Sequence, residues 1–360
     1  MNMAVHDLKL PMASSAGFER FLFIAGAPRC GTTTLSRFLK DHPAVRFPAL
    51  KEPHFFTQHD LRRLPDRELE RRVERDYLRR FFSADGHRSI GVDGSVSYLY
   101  SPERLEPILR LWPDSRFVVS VRDPLTMLPS LHRRLIYVGQ ETIPDFANAW
   151  AAVADRAEGR KVPRACQDAR LLRYDEAARF GTYVERLFKA VGRERCLVLV
   201  FDDLAANPAE QYGRLMDFAG LEPQPAVDFS PSREGQSVKF RWLQRVLKQP
   251  PGPIKERLGS EFFRKHHSRD GAGNGAFEML MAVRRRLLRW NRTSAPIYPM
   301  PMALQREIAG HFTGEVERLG ALVGRDLSHW LQPSRDLGAK LANGGPASAR
   351  AEPYRRAYSQ

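Results

Sequence analysis

The chain is poor in cysteine. Cys30, Cys166 and Cys196 are odd in number and show no paired ligand spacing, so neither a disulfide framework nor a metal site follows from them. No apolar run approaches the roughly 20 residues that a helical membrane span needs. The stretch Met1 to Lys9 lacks the apolar core of a secretory signal peptide, so a soluble, cytoplasmic protein is expected. No internal repeat is visible. Acidic residues are in deficit: 42 Asp and Glu face 57 Lys and Arg, a formal charge of +15 over 360 residues. Such an excess fits an anionic ligand, although arginine far outnumbers lysine and composition bias alone can produce that. The runs Arg62-Arg63, Arg71-Arg72 and Arg284-Arg285-Arg286 lie in helix-like stretches and read first as solvated faces. No aromatic-and-basic module or zinc pattern supports nucleic-acid binding.

Strand-length apolar runs near residues 21, 90, 117 and 197 alternate with longer amphipathic stretches. That alternation predicts an α/β fold, a parallel sheet flanked by helices on both faces. In such sheets ligands sit outside the carboxyl ends of the strands, where Arg29, Asp93 and Arg122 are expected to converge. Composition predicts a body over 18–332, with tails rich in Ala, Ser, Gly and Pro at 1–17 and 333–360.

The most informative stretch is Phe21–Leu35, FLFIAGAPRCGTTTL. An apolar strand breaks into a loop bounded by Gly26 and Gly31, then passes through Thr32, Thr33 and Thr34 into a helix carrying Leu35, Phe38 and Leu39. Strand, glycine loop and helix start gather backbone N–H groups and a helix dipole around one point, which suits a phosphate. The glycine spacing is that of a P-loop, yet Thr32 stands where nucleotide triphosphatases need lysine, and the cation is Arg29 inside the loop.

Pro28-Arg29-Cys30-Gly31-Thr32-Thr33 resembles the 5′-phosphate-binding segment of sulfotransferases that use 3′-phosphoadenosine-5′-phosphosulfate (PAPS). A second segment agrees. Arg116–Val121 reads as a strand ending in Arg122-Asp123-Pro124, and Ser130 follows Arg122 at the separation with which this family binds the 3′-phosphate. Arginine forks onto phosphate oxygens and serine adds a neutral donor. Lys51-Glu52-Pro53-His54-Phe55-Phe56 resembles the Lys-Glu-Pro-x-Phe-Phe segment of the bacterial and heparan sulfate-type carbohydrate branch. Gly91–Tyr98 occupies the place of a further segment of that branch, with Asp93 for the usual Glu and Gly94 for a lysine near the acceptor.

The resemblance implies a P-loop-type three-layer fold and transfer of a sulfuryl group from PAPS to an acceptor hydroxyl or amine, on a carbohydrate, glycolipid or small molecule, with no metal. It implies that Arg29, Cys30, Gly31, Thr32, Thr33 and Thr34 surround the 5′-phosphate and that Arg122 and Ser130 hold the 3′-phosphate. Glu52 is implied as general base, helped by desolvation that raises its proton affinity, and Lys51 as a neighbour of the transferred group. His42 and His54 are rival bases. Ser95, Ser97 and Tyr98 either line the pocket or pack a strand end. Ser232-Arg233-Glu234-Gly235, with Lys239 and Arg241, falls where the family has a late cofactor loop, and Arg233 is the chosen residue. Leu327 and Trp330 are implied to pack the last helix onto the core, and the strand at Cys196–Phe201 receives no chemical role. Two other classes stay open. A P-loop kinase using ATP and Mg²⁺ is favoured by the glycine spacing and by Asp123, and a non-catalytic nucleotide or polyanion binder would keep the fold alone.

Overall fold

In the computed structural model of the chain the described residues are 17–82, 89–230, 236–248, 275–294, 300–335 and 337. The apolar runs form the strands expected of them: β1 (Phe18–Gly26), β3 (Ser89–Asp93), β4 (Arg116–Val121) and β5 (Cys196–Val200). An edge strand of two residues, β2 (Val45–Arg46), is too short to announce itself in the sequence. The five strands lie in the order β2–β3–β1–β4–β5, and every pair is parallel.

Alternate residues of the central strands serve opposite faces. Phe21, Phe23, Phe117 and Val119 point to one core, Leu22, Ile24 and Val118 to the other. The first face packs against α2 (Pro124–Val138), α3 (Phe180–Val191) and α7 (Met302–Val323), through side chains such as Leu131, Val184 and Phe312. The second packs against α1 (Thr32–Lys40) and α4 (Pro208–Ala219), through Leu35, Phe38, Leu215 and Met216. Both sheet faces are thus buried, which is why the strands read as unbroken apolar runs. Each fully buried Leu or Phe contributes about 1.5–3 kcal/mol. The rings of Phe23 and Phe117 stack at 5.3 Å across the β1–β4 pair.

Leu327 and Trp330 are buried, and Trp330 Nε1 donates to Asp202 at 2.8 Å, fastening the end segment to the helix start after β5. Packing continues past the expected boundary at 332: Ser334 N donates to Gln305 Oε1 and Leu337 is buried. Most of both expected tails lies outside the described residues. A separate antiparallel pair, β6 (Gln236–Val238) with β7 (Arg292–Ser294), accompanies α5 (Arg241–Lys248) and α6 (Gly275–Trp290). Gln244 of α5 donates to the Tyr137 carbonyl of α2 at 3.0 Å.

Candidate active site

Beyond Gly26 the chain leaves β1 and is held beside β4 by Ala27 N donating to Ser120 O at 2.8 Å. Ser120 Oγ donates to the Cys30 carbonyl. Arg29 (φ 66°) and Gly31 (φ 90°) are both left-handed, which turns loop amides toward one centre. Glycine is needed at 31 twice over, because a Cβ there would stand 2.7 Å from Leu204 Cδ2. The first helical bond of α1 runs from Thr34 N to Gly31 O, so the amides of Thr32 and Thr33 precede it and face outward from the helix start. Thr33 is exposed, Thr34 half-buried and Thr32 buried. Cys30 is fully buried, and burial pushes its thiol up to about 12, so it is an inert small residue under the loop.

Arg122 follows the last residue of β4, directly behind this loop. Its Nε donates to Thr126 Oγ1 at 3.0 Å, its Nη1 to the Arg29 carbonyl at 3.3 Å, and its guanidinium lies 4.3 Å from the Phe201 ring centre. Only 7% of it is exposed, burial lowers its pKa, and among the described residues no carboxylate pairs with it. Asp123, next in sequence, is engaged as the cap of α2, accepting from Leu125 N at 2.7 Å. Ser130, buried on α2, accepts from Arg29 Nε at 3.0 Å. The two segments that the sequence separates by 101 positions are therefore in contact.

The same helix adds two arginines that the sequence reading passed over. Arg133 and Arg134 follow Ser130 by nearly one turn, and neither has an ion-pair partner among the described residues. Desolvation, then the charges of Arg134, Arg122 and Arg133, lower the Arg29 guanidinium to about 10, still cationic at neutral pH. Desolvation and Arg122 lower Arg133 as well. Four arginines with no ion-paired carboxylate among the described residues make a site suited to a multiply charged anion. The signal was available, since Arg133 lies at i+3 from Ser130 on a predicted helix.

Lys51, Glu52 and His54, which follow β2 in the chain, lie against the carboxyl end of β3. Gly94 N donates to Lys51 O at 3.2 Å and Ser95 Oγ accepts from His54 N at 2.8 Å, which fixes the turn to the carboxyl end of β3. Lys51 Nζ donates to Glu52 Oε1 at 3.0 Å, and His54 Nε2 stands 3.6 Å from Oε2. The other imidazole nitrogen is 2.8 Å from Ser97 Oγ, which meets Thr57 Oγ1 at 2.8 Å. The expectation of a raised Glu52 pKa is corrected here. Burial does push the carboxyl up, but the His54 imidazole and the Lys51 ammonium outweigh it and hold Glu52 below its ordinary value.

Asp93 does not converge with Arg29 and Arg122. Its carboxylate is fully buried and accepts from the hydroxyls of Tyr77 and Tyr98 at 2.8 Å each, and from Ser95 N and Oγ. Burial, partly countered by those donors, raises its pKa. It is the anchor of the Ser95–Tyr98 turn, so Ser95 and Tyr98 are packing residues, and Ser97 is the one that reaches the His54 imidazole. His42 is remote from these groups: its ring is held by the Glu222 carbonyl at 3.1 Å and by Ala44 N at 3.1 Å. Phe201, given no role from sequence, covers both Arg122 and Gly31. Ser232-Arg233-Glu234-Gly235 and the Arg241 side chain lie outside the described residues, and Lys239 sits 5.3 Å from the Trp290 ring centre.

Among known families, the model of the "Sulfotransferase family" matches residues 22–225. Human heparan sulfate glucosamine 3-O-sulfotransferase 6 is 30% identical over 219 residues, covering 59% of this chain and 56% of that protein. Human carbohydrate sulfotransferase 15 is 24% identical over 297 residues, covering 69% of this chain and 52% of that protein. The chain thus spans little more than half the length of these relatives. Among solved structures, a sulfotransferase from Alicyclobacillus acidocaldarius superposes with a TM-score of 0.55 at 22% identity, covering 86% of this chain and 98% of that one.

Proposed function

The chain belongs to the sulfotransferase family, and we propose that it transfers a sulfuryl group from PAPS to a hydroxyl of a carbohydrate or glycolipid acceptor. One observation carries the choice of donor: Arg122 is buried, cationic and without an ion-paired carboxylate among the described residues, and it abuts the phosphate loop through the Arg29 carbonyl. A buried guanidinium in that condition is stabilised by a bound anion. Arg122 and Ser130, with Arg133 beside them, would hold the 3′-phosphate. The amides from Arg29 to Thr33 and the hydroxyls of Thr32 and Thr33 would hold the 5′-phosphate.

When bound, PAPS supplies the electrophilic sulfur and a leaving adenosine 3′,5′-bisphosphate. Glu52 takes the acceptor proton, Lys51 steadies the transferred group, and Arg29 adds positive charge where the leaving oxygen becomes anionic. The acceptor class rests on the relatives, whose names specify heparan sulfate glucosamine and carbohydrate. Gly94 argues for an acceptor other than heparan sulfate. A Cβ there would stand 3.2 Å from the Lys51 carbonyl and 3.4 Å from its Cε, so the Lys51 chain fills the space that a second lysine would use. Asp123, which a kinase would turn toward Mg²⁺, is committed to capping α2.

Calorimetric titration with adenosine 3′,5′-bisphosphate, beside ATP with Mg²⁺, tests the reading. Tight binding of the bisphosphate without Mg²⁺, lost in Arg122→Ala, is the expected result. Preference for ATP with Mg²⁺ would transfer the chain to the kinase reading.

A further inference from the structure

Among the described residues, the large apolar side chains left exposed gather almost entirely in one place. Apart from Leu50, every large hydrophobic left exposed among the described residues is Phe240 or belongs to α5 or α6. On α6 these are Met279, Leu280, Val283, Leu287 and Trp290, with Met279 71% and Trp290 54% exposed. At 3.6 residues per turn they fall on one narrow stripe. Trp290 ends the stripe, its ring stacked on Phe240 at 5.7 Å with the Lys239 ammonium 5.3 Å from its centre. Aromatic rings with one wet edge and a cation alongside suit a water–hydrocarbon boundary.

Arginines flank the stripe. Arg286 and Arg289 border one side, exposed and without an ion-pair partner among the described residues. Arg284 borders the other and donates to the Leu247 carbonyl at 2.9 Å. The positive region continues to the phosphate site. Lys248, on α5, lies 5.6 Å from the Tyr137 ring centre, and the Arg134 guanidinium lies 5.7 Å from the same ring. Burial, with Arg134, Arg284 and Arg292 adding their charge, lowers the Lys248 pKa.

We infer that the α5–α6 face docks on an anionic lipid bilayer, the apolar stripe reaching the acyl boundary and the arginines meeting phosphate headgroups. The alternative of a second copy is disfavoured by charge, because a two-fold interface would set one arginine-flanked stripe against its identical partner. The inference goes beyond the sulfuryl-transfer reading and stands without it.

Co-sedimentation of the full chain with vesicles of phosphatidylcholine, alone or with about one third phosphatidylglycerol, tests it. Binding is expected on the anionic vesicles, weak on the neutral ones, and reduced by salt. Arg286→Gln with Arg289→Gln should lower partitioning about 25-fold, roughly fivefold for each charge near an anionic surface. Leu280→Gln with Leu287→Gln should also weaken it, and thermal melts matching the parent keep misfolding out of the comparison. A blue shift of emission on adding anionic vesicles, absent in Trp290→Phe, reports docking without any change to the arginines. Several outcomes overturn the inference. They are no binding to anionic vesicles, equal binding to both kinds, and self-association that shields Trp290 without lipid.

Discussion

Glu52 is a carboxylate whose environment works against its proposed task as general base as well as for it. Burial alone would make it a stronger base, while His54 and Lys51 hold it in the charged, less basic form. For a depressed carboxyl the active anion persists as pH falls and is lost only when pH passes the lowered value. The acid limb of kcat/KM should therefore lie below pH 4.5. His54→Ala removes one of the two opposing partners, so that limb should move upward in a pH series of sulfuryl-transfer rates. An unmoved limb would mean that another group is the base. Glu52→Gln should leave bisphosphate binding intact and lower turnover about 10²–10⁴-fold.

Arg122 allows a test in which stability and binding change in opposite senses. In the free protein its buried charge has no ion-paired carboxylate among the described residues, so Arg122→Met should leave stability equal or higher, by up to about 1–4 kcal/mol. The same substitution should abolish bisphosphate binding, whereas Arg133→Ala should weaken it roughly 10-fold, the worth of one charge-assisted hydrogen bond. A urea melt beside a calorimetric titration reads both. Loss of stability in Arg122→Met would mean that its contacts with Thr126 and the Arg29 carbonyl are structural supports rather than a waiting ligand site.

Among the elements, α2 carries Ser130, Arg133 and Arg134 of the candidate site, and its far end is held by a buried ion pair. Glu141 and Arg156 have no exposed side-chain surface and meet at 2.7 Å. Glu141 also accepts from Tyr174 OH at 2.9 Å and from the amides of Thr142 and Ile143. Arg156→Met alone should cost about 3–5 kcal/mol, because it strands a buried carboxylate, and pairing it with Glu141→Leu should recover most of that. Urea melts of the single and double variants decide this. A single-variant cost below about 1 kcal/mol would mean that Tyr174 and the two amides hold the carboxylate without Arg156.

What could be read in the sequence divides along the same lines. β1, β3, β4 and β5 were legible because both of their faces are buried, and the loop from Pro28 to Thr33 because its glycine geometry is local. The meeting of Arg29 with Ser130 followed from the family resemblance. Contacts made only by tertiary folding were not legible. The apposition of Asp93 to Tyr77 and Tyr98, the cover that Phe201 lays over Arg122, and the seating of His54 on Ser97 each join segments whose local pattern is ordinary. The direction of the Glu52 shift was missed for the same reason, since it depends on which partners outweigh burial.

For the whole molecule, the formal charge of +15 sets two salt dependences of opposite sign. Ion pairs such as Arg62–Asp60 and Arg110–Asp66 decorate the surface, and screening them should lower stability, but each exposed pair is worth only about 0–1 kcal/mol. The uncompensated charges repel one another, and four arginines are gathered at one site. Raising NaCl from about 0.01 M to about 0.15 M shortens the screening length from about 30 Å to about 8 Å, which relieves that repulsion across most of the molecule. The free protein should therefore melt at a higher temperature in the more saline buffer. Affinity for adenosine 3′,5′-bisphosphate should fall over the same interval, because the field that destabilises the free chain is the field that attracts the ligand. Arg122→Met should keep the first trend and lose the second. A melting temperature that falls with salt in the free parent would show that its ion pairs outweigh its excess charge, and the four arginines would then have to be held by local packing instead.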